Sequence, residues 1–205
     1  HPAIAVAEMM RILLDLHHIP WAEAWTMVRA IFSYTNHTLL PEALESWPVS
    51  LMERLLPRHM QIIYMINARH LEQVHAAHPA DDGLLSRVSF IDEHQGRRVR
   101  MSHLAFVGSH RVNGVSALHT ELMRETVFRD LHLLLPEQIV PITNGVAFRR
   151  WLHEANPGLT SLLTEALGPR VLDDESALEG LRPMAEDSAF RDKFAAQRLA
   201  NKQAL

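Results

Sequence analysis

Apolar residues in the first third of the chain recur at intervals of three and four, which is the spacing of one face of an α-helix. This pattern predicts two helices near the N-terminus, separated by a break at His18-Ile19-Pro20. A second apolar series runs from Leu51 to Val74, and Pro57 stands where a new helix would begin. We expect the helix that begins at Pro57 to be the longest in the protein.

One stretch in the middle of the chain has the pattern of β-structure instead. Residues Arg87–Asp92 and Arg97–Met101 flank a turn at His94-Gln95-Gly96, which predicts a two-stranded ribbon. Helical spacing then returns, and Asp187-Ser188 has the sequence of a cap for a final helix. The predicted fold class is therefore mainly α with a short β ribbon, and the ribbon is the only β element that the pattern predicts.

Both ends of the chain lack the signals that usually open and close a protein. His1-Pro2 leads into helical spacing without an initiator methionine, and no helix stop signal precedes Leu205. We therefore expect this chain to be an internal segment of a longer protein.

Composition excludes several classes of function. Of the 205 residues 47% are hydrophobic, the formal charge is -4 and the pI is about 6.4, so no basic field exists for nucleic acid. The absence of cysteine excludes thiolate catalysis and agrees with a cytoplasmic location. No apolar run approaches the roughly 20 residues that a membrane-spanning helix needs.

A polar run, Ser33–Leu39, is the first segment that departs from ordinary helical sequence. Pro41 follows it and begins a predicted short helix, with Glu42 and Glu45 one turn apart. Such a pair of carboxylates is what glycoside hydrolases use, but those enzymes take their two acids from separate elements. First-turn charge favoured by the helix dipole is the better interpretation of this pair.

The 14 histidines raise the possibility of a metal site. His75 and His78 are one turn apart and His70 precedes them, but no acidic residue stands where a metalloprotease helix requires one. Surface histidines are the better interpretation. The loop Gly108–Val115 has two glycines but lacks the lysine of a phosphate-binding loop, and Asn144-Gly145 is a common turn dipeptide.

Several long motifs occur in order along most of the chain, and together they resemble the α-glucan phosphorylase family, which includes glycogen, starch and maltodextrin phosphorylases. The motifs are His1-Pro2-Ala3, Tyr34-Thr35-Asn36-His37-Thr38, Leu40-Pro41-Glu42-Ala43-Leu44-Glu45, Leu56-Pro57-Arg58-His59, Gly108-Ser109-His110, Val112-Asn113-Gly114-Val115, Thr143-Asn144-Gly145 and Arg149-Arg150-Trp151-Leu152. The similarity fades after about Leu167.

The resemblance implies a fragment, about a quarter of a two-lobed, Rossmann-like (GT-B type) glycosyltransferase. Residues 1–140 would close the N-terminal lobe and residues 141–205 would cross toward the C-terminal lobe. The parent enzyme would cleave a terminal α-1,4 bond of a glucan with inorganic phosphate, retain configuration and release glucose 1-phosphate. It would use pyridoxal phosphate and form a cytoplasmic homodimer, with no nucleic-acid or membrane partner.

The resemblance also implies roles for individual residues. His37 and Asn144 would both bond the 6-hydroxyl of the glucose at the cleavage site, which makes the polar run a sugar clamp. The remaining implied residues are His1, Ala43, Glu45 and Val115 beside the sugar, Arg150 and Trp151 at the cofactor, and Gln61, Tyr64, Asn67 and Glu93 at a surface site for glucan.

The sequence departs from the family pattern at two informative places. Ala147-Phe148 replaces a Thr-Pro pair ahead of the arginines, which removes a capping hydroxyl and a helix-starting proline. The only lysines are Lys193 and Lys202, and neither follows the glycine-rich stretch that precedes the cofactor lysine in the family. We therefore expect the segment alone to be inactive. A non-catalytic helical module that binds carbohydrate or another protein is the alternative function, and metal binding is the third.

Overall fold

A computed structural model describes residues 2–94 and 96–204, and helices dominate it, as the apolar spacing predicts. The chain divides into two compact units, one ending at Asn144 and the other beginning at Gly145. The α-helices are α1 Ile4–Arg11, α2 Trp21–Ile31, α3 Val49–Leu55, α4 Pro57–Ala77, α5 Asp82–Val88, α6 Met101–Val107, α7 Ala117–Glu125, α8 Arg129–Leu134, α9 Pro157–Leu167 and α10 Ser188–Ala204.

The core of the first unit forms where α1 lies against α4. Val6 and Met10 point inward from α1, and Ile63 and Ile66 do so from α4, all of them buried. A π-helix, Ile12–Leu16, extends α1 before the chain turns into α2, so the predicted break between two N-terminal helices is confirmed. The prediction that the helix beginning at Pro57 is the longest is also confirmed, because α4 has 21 residues.

A parallel sheet, which the spacing did not predict, lies in the same unit. Its strands are β1 Ser33–Thr35, β5 Arg111–Gly114 and β6 Ile139–Pro141, in the order β1-β5-β6. Val112 is paired with Tyr34 on one side and with Ile139 on the other, and all three side chains are buried. The expectation that the ribbon is the only β element is therefore wrong.

The predicted ribbon forms part of a second, antiparallel sheet. Its strands are β2 Ser46–Pro48, β3 Ile91–Asp92 and β4 Arg98–Arg100, and β4 is in the middle. The ribbon is shorter than predicted at its start because Arg87 and Val88 belong to α5. The strand β2 was not expected, since it has only three residues and is separated by only two residues from a short 3-10 helix, Pro41–Ala43.

The second unit is built from helical segments. A π-helix, Arg149–Glu154, precedes α9, and two 3-10 segments, Pro169–Leu172 and Glu175–Glu186, lead to α10. The predicted cap of the last helix is confirmed, because Asp187 Oδ1 accepts a hydrogen bond from the amide of Ala189 at 2.9 Å.

Candidate functional site

Polar loops follow all three strands of the parallel sheet at the same edge. His37 lies two residues after β1, Val115 follows β5 directly, and Asn144 lies three residues after β6. Because β5 is between the other two strands, β1 and β6 are two strand spacings apart, about 10 Å. In open parallel sheets, ligands bind outside the carboxyl ends of the strands. This edge is therefore the candidate site.

Backbone hydrogen bonds extend the sheet beyond its last paired residues and bring two of the predicted residues together. The amide of Ile142 donates to the carbonyl oxygen of Gly114 at 3.0 Å, and the amide of Asn144 donates to the carbonyl oxygen of Val115 at 3.0 Å. Asn144 and Val115 are therefore neighbours, and Asn144 is exposed at the end of this pairing.

A cavity of about 270 Å³ opens beside the end of β1. It is lined by Ala3, Tyr34, Asn36, His37, Thr38, Ala43, Leu44, Glu45, Met101, Ser102 and Ala105. Three predicted site residues thus share one cavity: His37, Ala43 and Glu45. Val115 and Asn144 are not in its lining, and His1 lies outside the described residues. The residues predicted beside the sugar therefore form two groups: His37, Ala43 and Glu45 in the cavity, and Val115 with Asn144 after β5 and β6.

The segment that carries His37 is held by its neighbours while the histidine itself is exposed. Asn36 is only 1% exposed, and its Oδ1 accepts a hydrogen bond from the amide of Thr38 at 3.1 Å. This bond closes a turn with His37 at its tip, in the manner of an Asx-turn. On the preceding strand, the hydroxyl of Thr35 donates to Oδ1 of Asn113 on β5 at 2.6 Å.

The cavity is polar but carries little charge. Burial raises the pKa of Tyr34, and the nearby carboxylate of Glu45 acts in the same direction, so the phenol stays protonated at neutral pH. The lining holds no lysine or arginine. Neutral hydroxyl, amide and imidazole groups hydrogen-bond well to the hydroxyls of a sugar, whereas an anion would lack a charged partner here.

Arg150 and Trp151 lie in the second unit, on the π-helix that begins at Arg149. Both side chains are exposed, and the guanidinium carbon of Arg150 is 5.6 Å from the centre of the Trp151 ring. Arg149 is occupied differently, because its Nη1 is 3.1 Å from a carboxylate oxygen of Asp173. No side chain caps the start of this helix, at the place where Ala147-Phe148 replaces the Thr-Pro pair of the family pattern.

The four residues predicted for a surface site do not share one surface. Gln61 and Glu93 are exposed, and Tyr64 is half-buried with its hydroxyl 3.1 Å from Glu53 Oε1. Asn67 is instead 8% exposed, and its Oδ1 accepts from the amide of Phe90 at 2.7 Å while its Nδ2 contacts Ser89 Oγ. The expected surface position of Asn67 is wrong, because this amide joins α4 to the segment ahead of β3.

The histidines of α4 differ from one another in burial. His70 is buried and stacked on Phe90 with ring centres 5.5 Å apart, whereas His75 and His78 are exposed. Across the described residues, no group of three or more His, Cys, Asp or Glu side chains is arranged to hold a metal ion.

No helix in the described part of the chain is both long and apolar enough to cross a membrane.

A comparison with models of known protein families shows which family this chain belongs to. All of residues 1–205 match the model of the family described as Phosphorylase: Carbohydrate phosphorylase. The chain belongs to the carbohydrate phosphorylase family.

Known phosphorylases match the chain along nearly its whole length. The glycogen phosphorylase of Chlamydia pneumoniae is 48% identical over 205 residues, which is all of this chain and 25% of that protein. The brain form of human glycogen phosphorylase is 46% identical over 202 residues, and the bovine liver form is 45% identical, each with 98% of this chain and 24% of the relative covered. The chain therefore spans about a quarter of the length of these phosphorylases.

The structure adds residues to the candidate site that sequence patterns did not single out. His119 on α7 reaches Asn36 across 83 positions in the chain, with its Nε2 at 2.9 Å from Asn36 Oδ1. Ser102 and Met101, at the start of α6, line the cavity. No local spacing links such residues. The pairing of β1 with β5 brings His119 toward Asn36, and the pairing of β2 with β4 brings Met101 and Ser102 to the cavity.

Proposed function

We propose that this chain forms the glucose-binding part of an α-1,4-glucan phosphorylase, which releases glucose 1-phosphate from glucan ends with inorganic phosphate and retention of configuration. The observation that supports this most directly is the convergence of His37, Val115 and Asn144 at the carboxyl edge of one parallel sheet. In this proposal the sheet belongs to the N-terminal lobe of a two-lobed, Rossmann-like (GT-B type) glycosyltransferase.

The proposed clamp consists of the imidazole of His37 and the amide of Asn144, which hold the 6-hydroxyl of the terminal glucose. A neutral hydrogen bond of this kind contributes a net of about 0.5–1.5 kcal/mol. The clamp also discriminates, because a ligand that lacks the hydroxyl leaves two polar groups of the site unpaired. Val115 packs beside the ring, and Ala43 and Glu45 line the adjoining cavity.

The chemistry of the second unit fits a phosphorylated aromatic cofactor, which we propose to be pyridoxal phosphate. Arg150 offers an exposed guanidinium, the group that binds phosphate in a bidentate manner, and the exposed ring of Trp151 offers a flat face. When bound, the cofactor supplies a phosphate group for acid–base chemistry at the reacting phosphate. Arg150 would orient that group, and Trp151 would exclude water from one side.

Neither lysine of this chain suits covalent attachment of the cofactor. Lys193 lies on α10 with its Nζ 2.6 Å from Glu165 Oε1, and Lys202 lies near the end of the same helix. We therefore propose that the 205-residue chain is catalytically inert and that the parent enzyme supplies the lysine. Phosphorolysis of maltodextrin by the purified chain, followed as glucose 1-phosphate, would yield none above the buffer rate, and any turnover would contradict this.

A second carbohydrate contact is proposed on the surface formed by Gln61, Tyr64 and Glu93. The guanidinium of Arg97 lies 5.6 Å from the centre of the Tyr64 ring, so a flat aromatic group is bordered by polar side chains. Such a surface suits weak retention of a long glucan rather than catalysis. Asn67 is not part of this proposal, because its amide is used inside the fold.

The clamp is tested by His37→Ala in the full-length phosphorylase that contains this segment. We expect kcat/KM for maltodextrin to fall about tenfold or more, the equivalent of one lost hydrogen bond of about 1.4 kcal/mol. The matched control is His75→Ala, an exposed histidine on α4, which should leave kcat/KM unchanged. Equal kcat/KM values for the two variants would overturn the proposed role of His37.

A further inference from the structure

Asn36 is the buried residue next to the proposed clamp, and its side chain makes contacts on three sides. Oδ1 accepts from the amide of Thr38 at 3.1 Å and lies 2.9 Å from Nε2 of His119. Nδ2 donates to the hydroxyl of Tyr34 at 3.3 Å. The amide nitrogen of Asn36 also donates to the carbonyl oxygen of Asn113 at 2.9 Å, which continues the pairing of β1 with β5.

The protonation of His119 follows from these contacts. A backbone N–H can only donate, so the atom of Asn36 that Thr38 faces must be the carbonyl oxygen. His119 contacts the same oxygen, and it must therefore carry a proton on Nε2. Both the neutral Nε2–H tautomer and the imidazolium meet this requirement, whereas a side chain without a donor does not.

His119 in turn is joined to the other two loops of the edge. Its backbone amide donates to Ser116 Oγ at 3.1 Å, which caps the start of α7. Ser116 directly follows Val115, whose carbonyl oxygen accepts from the amide of Asn144. One connected path of covalent and hydrogen bonds thus runs from the turn of His37, through Asn36 and His119, to Val115 and Asn144.

We propose that Asn36 and His119 are positioning residues that set the place of His37 relative to Asn144. This inference rests on the proposed function, since it concerns the same sugar clamp. His119 is not in the cavity lining but contacts Asn36, which is, so it acts on the sugar through the Asn36 turn. Loss of the His119 donor removes the direct hydrogen bond between the Asn36 turn and α7, so the separation of the two halves of the clamp is less firmly fixed.

Loss of a positioning residue is distinguished by its effect on substrate preference: it lowers the activity toward substrates that carry the clamped hydroxyl more than toward substrates that lack it. General destabilisation lowers the activity toward every substrate equally, because it reduces the amount of folded enzyme. A displaced clamp instead weakens the reaction only of substrates that carry the clamped hydroxyl. The ratio of two activities within one enzyme preparation therefore separates the two effects.

The experiment compares glucose 1-phosphate with its 6-deoxy analogue as donors for chain extension of maltodextrin by the full-length phosphorylase. We expect unmodified enzyme to prefer glucose 1-phosphate about tenfold or more in kcat/KM. His119→Leu should reduce this ratio to about threefold or less, because the remaining preference comes from a clamp without fixed geometry. His119→Gln restores an N–H donor near the position of Nε2 and should recover most of the ratio.

Two further variants keep the outcome interpretable. His75→Leu changes an exposed histidine on α4 and should leave the ratio at its starting value. His37→Ala should remove most of the preference. If His37→Ala leaves the preference intact, the proposed function fails. If His37→Ala removes it while His119→Leu keeps it, only the positioning role is overturned. Should His119→Leu fail to fold, His119→Asn retains a shorter donor and should give an intermediate ratio, and an unchanged ratio there would likewise overturn the positioning role.

Discussion

The two small sheets of the first unit differ in what their polar groups do. In the parallel sheet, the strands are buried at Tyr34, Val112 and Ile139, and the polar residues follow the strand ends, where a ligand can reach them. In the antiparallel sheet, the polar side chains point back onto the protein. Arg98 on β4 donates to Ser46 Oγ at 2.9 Å and to the Ser46 carbonyl oxygen at 2.8 Å.

A second arginine of β4 makes the same contrast clearer. Nη1 of Arg100 contacts the carbonyl oxygens of Ser86, Arg87 and Ser89 at 3.1–3.3 Å, at the C-terminal end of α5. A cation at this end of a helix satisfies carbonyls that have no partner within the helix. The arginines of β4 thus hold the antiparallel sheet against its neighbours, so this sheet acts as a support, whereas the polar residues after the parallel strands are open for binding.

The largest loss of stability in either sheet is expected from Gly114→Val, at the end of β5 in the parallel sheet. A Cβ at this position would lie 2.4 Å from Thr120 Oγ1 and 2.8 Å from Thr120 Cα, so α7 would have to move away from the sheet. We expect a loss of about 3 kcal/mol or more in the free energy of unfolding, measured by urea denaturation. Gly145→Val is the control, because nothing lies within 4 Å of its Cβ position. Similar losses for both variants would show that packing at β5 is not special.

A slightly smaller change in the free energy of unfolding is expected when the pH is lowered, because of a buried histidine beside the antiparallel sheet. Burial lowers the pKa of His70 from 6.5 to about 4, where its ring is stacked on Phe90 ahead of β3. Because the unfolded chain binds the proton more readily, the stabilisation is present above pH 6.5 and is lost as the pH falls toward 4. Between pH 7 and pH 5 this histidine alone should lower the free energy of unfolding by about 2 kcal/mol.

The control for this pH effect replaces the imidazole with a ring that does not titrate. His70→Phe should reduce the change in unfolding free energy between pH 7 and pH 5 by about 2 kcal/mol and leave the part due to other imidazoles, such as His103, whose pKa burial also lowers to about 4. His75→Phe, at an exposed position on the same helix, should leave the change unaltered. An unchanged slope in the His70 variant would mean that the buried imidazole is not the group that senses pH.

The same contrast explains how much of the fold could be predicted from the sequence. The helices α1, α2 and α4 were predicted because their apolar spacing recurs over several turns, and α10 was predicted from its cap at Asp187-Ser188. The ribbon of β3 and β4 was predicted because a glycine turn separates its strands. The parallel sheet was not, since its strands have only three or four residues and are buried through contacts with distant strands rather than through a local alternation.

The candidate site shows a similar division. The resemblance to phosphorylases pointed to His37, Val115 and Asn144, and the sheet brings their loops to one edge. The surface position that the resemblance implied for Asn67 was wrong, because its amide is buried against the backbone of Phe90 and the hydroxyl of Ser89. Asn36 and His119 were missed for the complementary reason that their contact depends on the register of β1 with β5.

The smallest of the three effects, and the one that bears most directly on that error, is expected from Asn67→Ala. This change leaves the buried amide of Phe90 without its 2.7 Å acceptor and removes the contact with Ser89 Oγ, so it should cost about 1.5 kcal/mol in the free energy of unfolding. Gln61→Ala changes an exposed amide on the same helix and should cost less than about 0.5 kcal/mol. Glucan affinity of the full-length enzyme should follow the opposite order, with Gln61→Ala weakening it and Asn67→Ala leaving it unchanged in the folded fraction. If Asn67→Ala weakened glucan binding without lowering the urea midpoint, its amide would belong to the sugar surface after all, and the antiparallel sheet would be a binding element rather than a support.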